Sequence, residues 1–317
     1  MKMKITFAFL LAFSSVSYAQ TWQKTNGPYG GIVRALAKNS SEHIFAGTGG
    51  GGVFRSIDNG DNWTQGNNGL TSSDVWALAV TPDDHVFAGT LGGGVFRSED
   101  NGANWTQVNN GLDWPFVVCF AVNSSGDIFA GTSEGGGVYR STDNGDNWTQ
   151  VNNGLGGNTY VTALTVNSSD EIFAGIWGGG GIFRSSDNGD TWTAINNGIT
   201  GQSILSFAIN SSGDIFAGMD FGEGIYKSTD NGDSWTALSL PTTNNVDAIV
   251  IDSAGNLFAG IYGNGVFRSS DNGDNWTQVN TNLTSTYVLS MLCNSINDIF
   301  SGTGFGGGVF RSSNNTL

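Results

Sequence analysis

One nine-residue pattern, Arg-Ser-x-Asp-Asn-Gly-x-x-Trp, recurs with small changes along almost the whole chain. It is first seen at residues 55–63, and its serine returns at steps of 41 to 44 residues. These serines are Ser56, Ser98, Ser141, Ser185, Ser228, Ser269 and Ser312. A spacing this regular indicates one supersecondary unit repeated seven times, so we expect a repeat fold.

The pattern has a local meaning as a turn. Extended apolar residues precede it and another short run follows, so the chain must reverse between them. Gly60 can adopt a positive φ without penalty, and the side chains of Ser56 and Asp58 can accept hydrogen bonds from turn N–H groups. Trp63 then offers a large apolar surface, which we expect to pack against a neighbouring unit.

The core of the pattern, Ser-x-Asp-x-Gly-x-x-Trp, resembles the Asp-box, the repeat of bacterial neuraminidases. Six copies are complete. The resemblance implies a β-propeller with the box between the third and fourth strands of each blade, on the face opposite the ligand site. It therefore implies a structural role for Ser56, Asp58, Gly60, Trp63, Asp100, Trp105, Asp143, Trp148, Asp187, Trp192, Asp230, Trp235, Asp271 and Trp276. Asp-boxes occur in sialidases, endoglucanases, sortilin-type receptors and a photosystem II assembly factor, so they imply a fold and not a function.

Each repeat reads as four short strands separated by turns. In the second repeat the predicted strands are 75–80, 86–89, 95–97 and 105–108. Residues 21–27 match a fourth strand, whereas the last repeat stops after its third strand. We therefore predict an all-β fold, a seven-bladed β-propeller with four antiparallel strands per blade, closed by the N-terminal strand in a 3+1 blade. The seventh box is degenerate, with Asn314 in place of Asp.

The first 19 residues have the pattern of a secretory signal peptide. Lys2 and Lys4 precede an apolar core, and residues 17–19 form a small-x-small cleavage site. We therefore expect residues 20–317 to form one exported propeller, extracellular, periplasmic or at the cell surface. The 49 glycines follow the repeat, which argues against disorder.

Charge and residue types exclude several kinds of partner. The chain has 27 acids against 12 bases, so we expect no nucleic-acid partner. No stretch after residue 19 is long and apolar enough to span a membrane, so we expect no membrane insertion, and we predict a monomer. His43 and His85 are both in turns between first and second strands, so we predict no metal site and no cofactor. Calcium at Asp-Asn-Gly-Asp-Asn remains an alternative, although the bidentate Glu of a calcium loop is missing. Cys119 and Cys293 are expected to be free and buried.

A sialidase is not expected. That activity needs three convergent arginines on the ligand face, as the resemblance implies. Six arginines and Lys227 instead precede the boxes, and of the remaining bases only Arg34 is placed near the ligand face. One guanidinium cannot form such a clamp.

The repeats differ mainly in their Gly-rich loops and in the loops between blades. Aromatic and acidic residues there suit stacking on sugar rings or gripping a peptide. The predicted ligand-binding residues, all in blades four to seven, are Trp177, Phe221, Tyr262, Tyr287, Phe305, Asp220, Glu223 and Asp247. Blades one to three offer fewer rings, chiefly Trp76 and Trp114. The plain alternative is that these rings only plug the channel mouth or cover glycines.

The functional prediction is a secreted binding or interaction module for glycan or protein ligands, without catalysis. The alternative is a glycoside hydrolase that uses a carboxylate pair, with Asp247 and either Glu223 or Asp220 as candidates. A photosystem assembly role is disfavoured, because the relative with that role has a basic face that this acidic chain lacks.

Overall fold

The computed structural model describes residues 20–29, 31–157, 159–200 and 203–313, and this part of the chain is all-β. Its 28 strands form seven four-stranded antiparallel sheets, which confirms the seven-bladed propeller. The predicted signal peptide and the degenerate motif from Asn314 onward lie outside the described residues. No helix among the described residues is long and apolar enough to cross a membrane.

The chain enters through a two-residue strand, β1 (Gln23–Lys24), and then builds the blades in order. Blade 1 contains β2 (Val33–Lys38), β3 (Ile44–Thr48), β4 (Gly52–Ser56) and β5 (Thr64–Gln65). Blade 2 contains β6 (Val75–Val80), β7 (Val86–Thr90), β8 (Gly94–Ser98) and β9 (Thr106–Gln107). Blade 3 contains β10 (Val117–Val122), β11 (Ile128–Thr132), β12 (Gly137–Ser141) and β13 (Thr149–Gln150).

The second half of the ring repeats the arrangement. Blade 4 contains β14 (Val161–Val166), β15 (Ile172–Ile176), β16 (Gly181–Ser185) and β17 (Thr193–Ala194). Blade 5 contains β18 (Ile204–Ile209), β19 (Ile215–Met219), β20 (Ile225–Ser228) and β21 (Thr236–Leu238). Blade 6 contains β22 (Val246–Ile251), β23 (Leu257–Ile261), β24 (Gly265–Ser269) and β25 (Thr277–Gln278). Blade 7 contains β26 (Val288–Cys293), β27 (Ile299–Thr303) and β28 (Gly308–Ser312).

The N-terminal strand closes the ring, as the repeat pattern predicts. In blade 7 the strand order is β1-β28-β27-β26, with Gln23 opposite Arg311 and Lys24 opposite Phe310. Trp22 is 1% exposed, and its Nε1 donates to the carbonyl of Val279 at 2.6 Å. The last blade therefore has the same four strands as the others, and the seam between the chain ends is paired.

The hydrophobic core lies between neighbouring blades. The second strand of every blade is completely buried, as in β3, where Phe45 and Ala46 are both 0% exposed. A Cβ added to Gly47 would lie only 2.6 Å from Cγ1 of Val75, the first residue of the next inner strand. The glycine at this position therefore allows adjacent blades to approach closely.

The repeated turn is held by its own side chains. Ser56 Oγ donates to Asp58 Oδ1 at 2.8 Å and accepts from Gly60 N at 2.8 Å, and Asp58 Oδ1 accepts from Asn62 N at 2.9 Å. The same three bonds recur in the other five complete copies. The turn donors are thus satisfied without a ligand.

These bonds also stabilise the ionised carboxylates. The side chain and then the backbone of Asn62 lower the pKa of Asp58, and equivalent bonds lower the pKa of Asp230 and Asp271 to about 2. A carboxyl with a lowered pKa in the folded chain contributes stability above its unfolded pKa. That contribution is lost as the pH falls through the folded value, here about 2.

The tryptophans of the turns connect one blade to the one before it. Trp148 Nε1 donates to the carbonyl of Val108 at 2.8 Å, and Trp192 and Trp235 make the equivalent bonds. Trp63 is only half-buried and donates to Thr25 of the N-terminal segment, whereas Trp276 bonds within its own turn, to Gly273. Of the six tryptophans in the complete copies, four are buried at 4 to 5% exposure: Trp105, Trp148, Trp192 and Trp235.

The two faces of the ring carry different loops. On one face the repeated turns contact the turns between first and second strands, as in the bond from Asn39 Nδ2 to Asn101 Oδ1 at 2.7 Å. The bases before the turns point to this side too: Arg140 Nη1 donates to the carbonyl of Asn188 and contacts Asp190 at 2.8 Å. The Gly-rich loops and inter-blade loops meet on the other side, the upper face, where Gly94 N donates to the carbonyl of Pro115.

Candidate ligand-binding face

A β-bulge interrupts the inner strand of every blade at the same place. In β2 the ladder pairs Val33 with Thr48 and then Ala35 with Gly47, so Arg34 is left out of the pairing. The same shift occurs in the other six inner strands. A bulge re-aims the side chain of its extra residue. The seven bulge residues, which all line one axial pocket, are Arg34, Trp76, Val118, Thr162, Leu205, Asp247 and Leu289.

The axial pocket has a volume of about 300 Å³. Tyr160 and Trp177 complete its wall, with ring centres 5.5 Å apart. A further cavity of about 240 Å³ is lined by several of the same bulge residues and by their successors, such as Ala35, Ala248 and Ser290. The volume of the axial pocket is at the lower end of the range for small-molecule sites, roughly 300–1,000 Å³.

Arg34 is the cationic side chain of the pocket wall. Its Cζ lies 3.9 Å from the centre of the Trp76 ring, and its Nε lies 3.6 Å from Asp74 Oδ1. Arg34 Nε and Trp76 Nε1 are both buried without a hydrogen-bond partner. Arg34 Nε and Asp74 Oδ1, which is also buried, thus face each other just beyond hydrogen-bond distance, whereas Trp76 Nε1 is left without an acceptor.

Asp247 is the acidic bulge residue. Burial, and then the negative charge of Asp220, raise the pKa of Asp247 to about 7. Its Oδ2 is also buried without a hydrogen-bond partner. Because the charged form is disfavoured, a large fraction of this carboxyl is protonated at neutral pH.

Asp220 lies beside the pocket and is held in place. Its Oδ2 accepts from Trp177 Nε1 at 3.2 Å, and its Oδ1 accepts from the backbone N–H of Phe221 at 2.8 Å. Glu223 is in the same turn, because its N–H donates to the carbonyl of Asp220. Phe221 is 73% exposed and, like Glu223, does not line the pocket.

Three of the predicted aromatic residues form a cluster on the rim of blades 6 and 7. Tyr287 packs edge-on against Tyr262, with ring centres 5.0 Å apart, and against Phe305 at 4.6 Å. Phe305 is 71% exposed, while Tyr262 and Tyr287 are 39% and 38% exposed. We call these three residues the aromatic rim. Partly exposed rings that contact one another form an apolar surface on which the apolar side of a ligand can pack.

The structure thus brings together some of the predicted residues and leaves others apart. Trp177 and Asp247 line the axial pocket, Asp220 is bonded to Trp177 beside it, and Tyr262, Tyr287 and Phe305 form the aromatic rim. The predicted set omitted Arg34, Trp76 and Tyr160, as well as the apolar bulge residues. The bulge residues do share one repeat position, the second residue of a first strand, but the strand pattern gives no sign that this side chain turns toward the axis.

Other candidates have plainer surroundings. Trp114 packs against Phe116, and a Cβ on Gly136 would lie 2.7 Å from its side chain, so this ring does cover a glycine. Cys119 and Cys293 are free, and burial raises the pKa of both thiols. Among the described residues no group of three or more His, Cys, Asp or Glu side chains could hold a metal ion.

Comparisons with known proteins agree with the fold. The family model for the DUF6242 beta propeller domain matches residues 19–155 and 178–293. A search of curated proteins returned no match.

Three solved structures illustrate the range of similar propellers. The extracellular domain of BT4673 from B. thetaiotaomicron is 16% identical with a TM-score of 0.77, over 95% of this chain and 41% of that one. The GH74 xyloglucanase from Xanthomonas campestris is 18% identical with a TM-score of 0.78, over 94% and 54%. YCF48 bound to D1 peptide is 17% identical with a TM-score of 0.78, over 95% and 98%. This chain thus spans about two fifths of the BT4673 domain, and identities this low show the fold alone.

Proposed function

Because this chain belongs to the family of DUF6242 beta propeller domains, we propose that it is an exported binding module that holds a glycan or an extracellular protein on its upper face, without catalysis. The observation that supports this proposal is the axial pocket. Three different blades contribute Arg34, Trp76 and Asp247 to its wall, beside apolar residues such as Val118 and Leu205. A concave site that combines a few polar groups with apolar and aromatic walls is typical of ligand-binding pockets.

The aromatic rim extends the surface beside the pocket. Its partly exposed rings can stack on a sugar or grip an apolar side chain, and Trp177 on blade 4 adds a further ring in the pocket wall. The upper face has one guanidinium at the pocket, so the three-arginine clamp of a sialidase is not part of the proposal.

We also propose that the repeated turn is an Asp-box, since its Ser, Asp and Gly hold one another in the way that such a structural turn requires.

The solved relatives suggest the ligand classes to compare. One of them is bound to a peptide and another is a xyloglucanase, so both a protein and a glycan ligand are reasonable. Export is supported by the N-terminal pattern of residues 1–19 and by the extracellular origin of a third relative. Acidic composition disfavours a role that needs a basic face.

The alternative is a glycoside hydrolase. It is favoured by one observation, namely that Asp247 has a pKa raised to about 7 next to the carboxylate of Asp220. A protonated carboxylic acid beside an ionised carboxylate is the pair that glycosidases use as acid and as base or nucleophile. Against it, both Asp220 oxygens accept hydrogen bonds from neighbouring protein groups.

One pair of experiments tests the proposal against this alternative. The purified chain is applied to a glycan array and, in parallel, incubated with a panel of polysaccharides while reducing ends are measured. Binding without release of reducing ends supports the module. Release that disappears in Asp247→Asn supports the hydrolase. Absence of both results, together with no capture of peptides from a displayed library, contradicts a ligand-binding face.

A further inference from the structure

Two Gly-rich loops of the upper face carry a phenylalanine at a position where the backbone favours glycine. Phe221 and Phe305 are each the second residue after the second strand of their blade, and their φ angles are 51° and 53°. The equivalent residue of blade 4 is Gly178, with φ 73°. A positive φ is free for glycine but strained for a bulky side chain. Both loops would therefore form with less strain if glycine stood at this position.

Both rings are also exposed to solvent. Phe221 is 73% and Phe305 is 71% exposed. A single exposed apolar side chain is ordinary, but an exposed ring on a strained backbone costs the free protein twice. Strain of this kind concentrates at functional sites. The two phenylalanines are thus better explained by a bound partner than by the needs of the fold.

Phe221 is in the Gly-rich loop of blade 5, and the aromatic rim follows on blades 6 and 7. We propose that Phe221 and the aromatic rim form a docking surface for a positively charged segment of a protein, which places an apolar side chain among these rings. This inference rests on the proposed function and chooses a protein over a glycan as its ligand.

The loops that carry the rings are held by the loops of the next blade or of their own blade. Asn245 Oδ1 accepts from Phe221 N at 3.2 Å, and the carbonyl of Asn245 accepts from Tyr262 N at 3.0 Å. One residue thus joins the loops of blades 5 and 6. In blade 7, Gly304 N donates to the carbonyl of Tyr287 at 2.8 Å. Because the backbone is already fixed, less conformational entropy is lost when a partner binds.

The rings suit an apolar side chain better than a sugar. The plane of Tyr287 makes an angle of 77° with that of Tyr262 and 68° with that of Phe305, so the rim is not one flat platform for a pyranose. The N–H groups of the nearby Asn244 amide are also used, because Nδ2 donates to the carbonyl of Tyr262 and to Asn264 Oδ1, both at 2.8 Å. Exposed rings of this kind are enriched where proteins contact one another.

The charge of the surrounding loops favours a basic partner. The upper-face loops of blades 5 to 7 contain two acids, Asp220 and Glu223, and no lysine, arginine or histidine. These loops are residues 220–224, 239–245, 262–264, 279–287 and 304–307. Lys24 lies outside them, on the outermost strand of blade 7. A lysine or arginine beside the apolar side chain of the partner would be attracted to the acids that flank Phe221.

The test begins with a displayed library of short random peptides, which is selected on the full chain at low ionic strength. A parallel selection on the double variant Phe221→Gly/Phe305→Gly identifies peptides that bind elsewhere. We expect the peptides enriched only on the wild type to share an aromatic or large aliphatic residue next to lysine or arginine. The inference is wrong if the wild type enriches nothing that the double variant does not, or if the peptides specific to it are acidic or uncharged.

Single variants separate a binding role from a structural one. Phe221→Gly and Phe305→Gly relieve strain, so the melting temperature should stay the same or rise, while the affinity for a selected peptide should fall roughly tenfold or more. If the rings only covered their loops, the melting temperature would fall and the affinity would not. Glu134→Gly is the matched control, because Glu134 has the same loop position in blade 3, with φ 56°. It should change the melting temperature in the same way and leave the affinity unchanged.

Two further variants test charge and specificity. Glu223→Gln should weaken binding of the selected peptide several-fold, and the difference should shrink as salt is added, because salt screens the attraction. Ile296→Ala removes another exposed apolar side chain, 65% exposed in a turn of the opposite face, and should have no effect. Affinity that ignores both salt and Glu223→Gln would overturn the basic character of the partner.

The glycan array separates failure of this inference from failure of the proposed function. Glycan binding that is lost in Phe305→Gly, without enrichment of peptides, would show that the surface holds a glycan. In that case the binding module stands and the protein segment is wrong. Absence of both peptide and glycan binding would contradict the inference and the proposed function together.

Discussion

The guanidinium carbon of Arg34 lies 3.9 Å from the centre of the Trp76 ring, and this contact joins blades 1 and 2 at the mouth of the axial pocket. Both residues occupy the same bulge position of successive repeats. A cation above an aromatic face is attracted to it, so each side chain holds the other in place. The Arg34 and Trp76 side chains of the pocket wall therefore fix each other's position.

Removal of the closing strand should open the ring. Deletion of residues 21–27 removes Trp22 and both pairs to β28, which exposes a strand edge and part of the core beneath Trp22. We expect aggregation, or loss of a single cooperative transition, when unfolding is followed by circular dichroism. A deletion variant that melts like the wild type would contradict closure by β1.

The aspartate of the repeated turn should matter for stability and not for binding. Asp143→Ala removes the acceptor for Asn147 N and the partner of Ser141, so we expect a loss of roughly 1–2 kcal/mol in the free energy of unfolding. Asp146→Ala in the same turn is the control. Asp146 is exposed and only pairs with Arg97, so its loss should cost about 0–1 kcal/mol. Denaturant titration measures the free energy of unfolding of both variants. If Asp143→Ala were fully stable but no longer bound a ligand, the ligand would bind on the face of the repeated turns and not on the upper face.

The turn tryptophans should stabilise the ring in proportion to their burial. Trp148→Ala empties a site that is 4% exposed and should cost about 3–5 kcal/mol in the free energy of unfolding. Trp63→Ala should also destabilise the chain, but by less, because Trp63 is only half-buried against the N-terminal segment. Equal losses in denaturant titrations of the two variants would contradict this ranking.

The charge of Asp247 should make stability depend on pH near neutrality. Its pKa is about 7 in the folded chain, above the ordinary value of 3.8, so the folded chain holds this proton more tightly than the unfolded chain does. The resulting stability is fully present below about pH 4 and is lost as the pH rises through about 7. Asp247→Asn removes the ionisation.

We therefore expect the melting temperature of the wild type, relative to that of Asp247→Asn, to fall between pH 5 and pH 8. The comparison at each pH cancels other titrating groups. A constant difference between the two proteins across this range would show that Asp247 titrates as an ordinary carboxyl.

The predicted aromatic residues should contribute to binding without contributing much to the fold. If the upper face binds a glycan found on the array, Tyr262→Ala and Trp177→Ala should each weaken binding by roughly 1–3 kcal/mol through lost ring burial and stacking. Trp114→Ala serves as the control on the same face. Calorimetric titration measures the affinity of each variant for the glycan. The predicted site is wrong if Tyr262→Ala and Trp177→Ala bind like the wild type, or if only Trp114→Ala binds more weakly.

The sequence alone determined the architecture, because a repeat must satisfy the same local requirements in every copy. Ser56, Asp58 and Gly60 form a turn from their own bonds, and the resemblance of residues 21–27 to a fourth strand predicted the closure. Deviations between near-identical repeats also pointed to the upper face and to residues such as Trp177 and Asp247.

Only the tertiary structure decided which of those residues share a site. Arg34, Trp76 and Asp247 are far apart in sequence, and they meet because a bulge in each inner strand turns one side chain toward the common axis. A bulge is a shift of register between two strands, and the strand pattern of a single repeat does not reveal it. The raised pKa of Asp247 likewise depends on burial and on the charge of Asp220 from the adjacent blade, and both arise only when the ring is assembled.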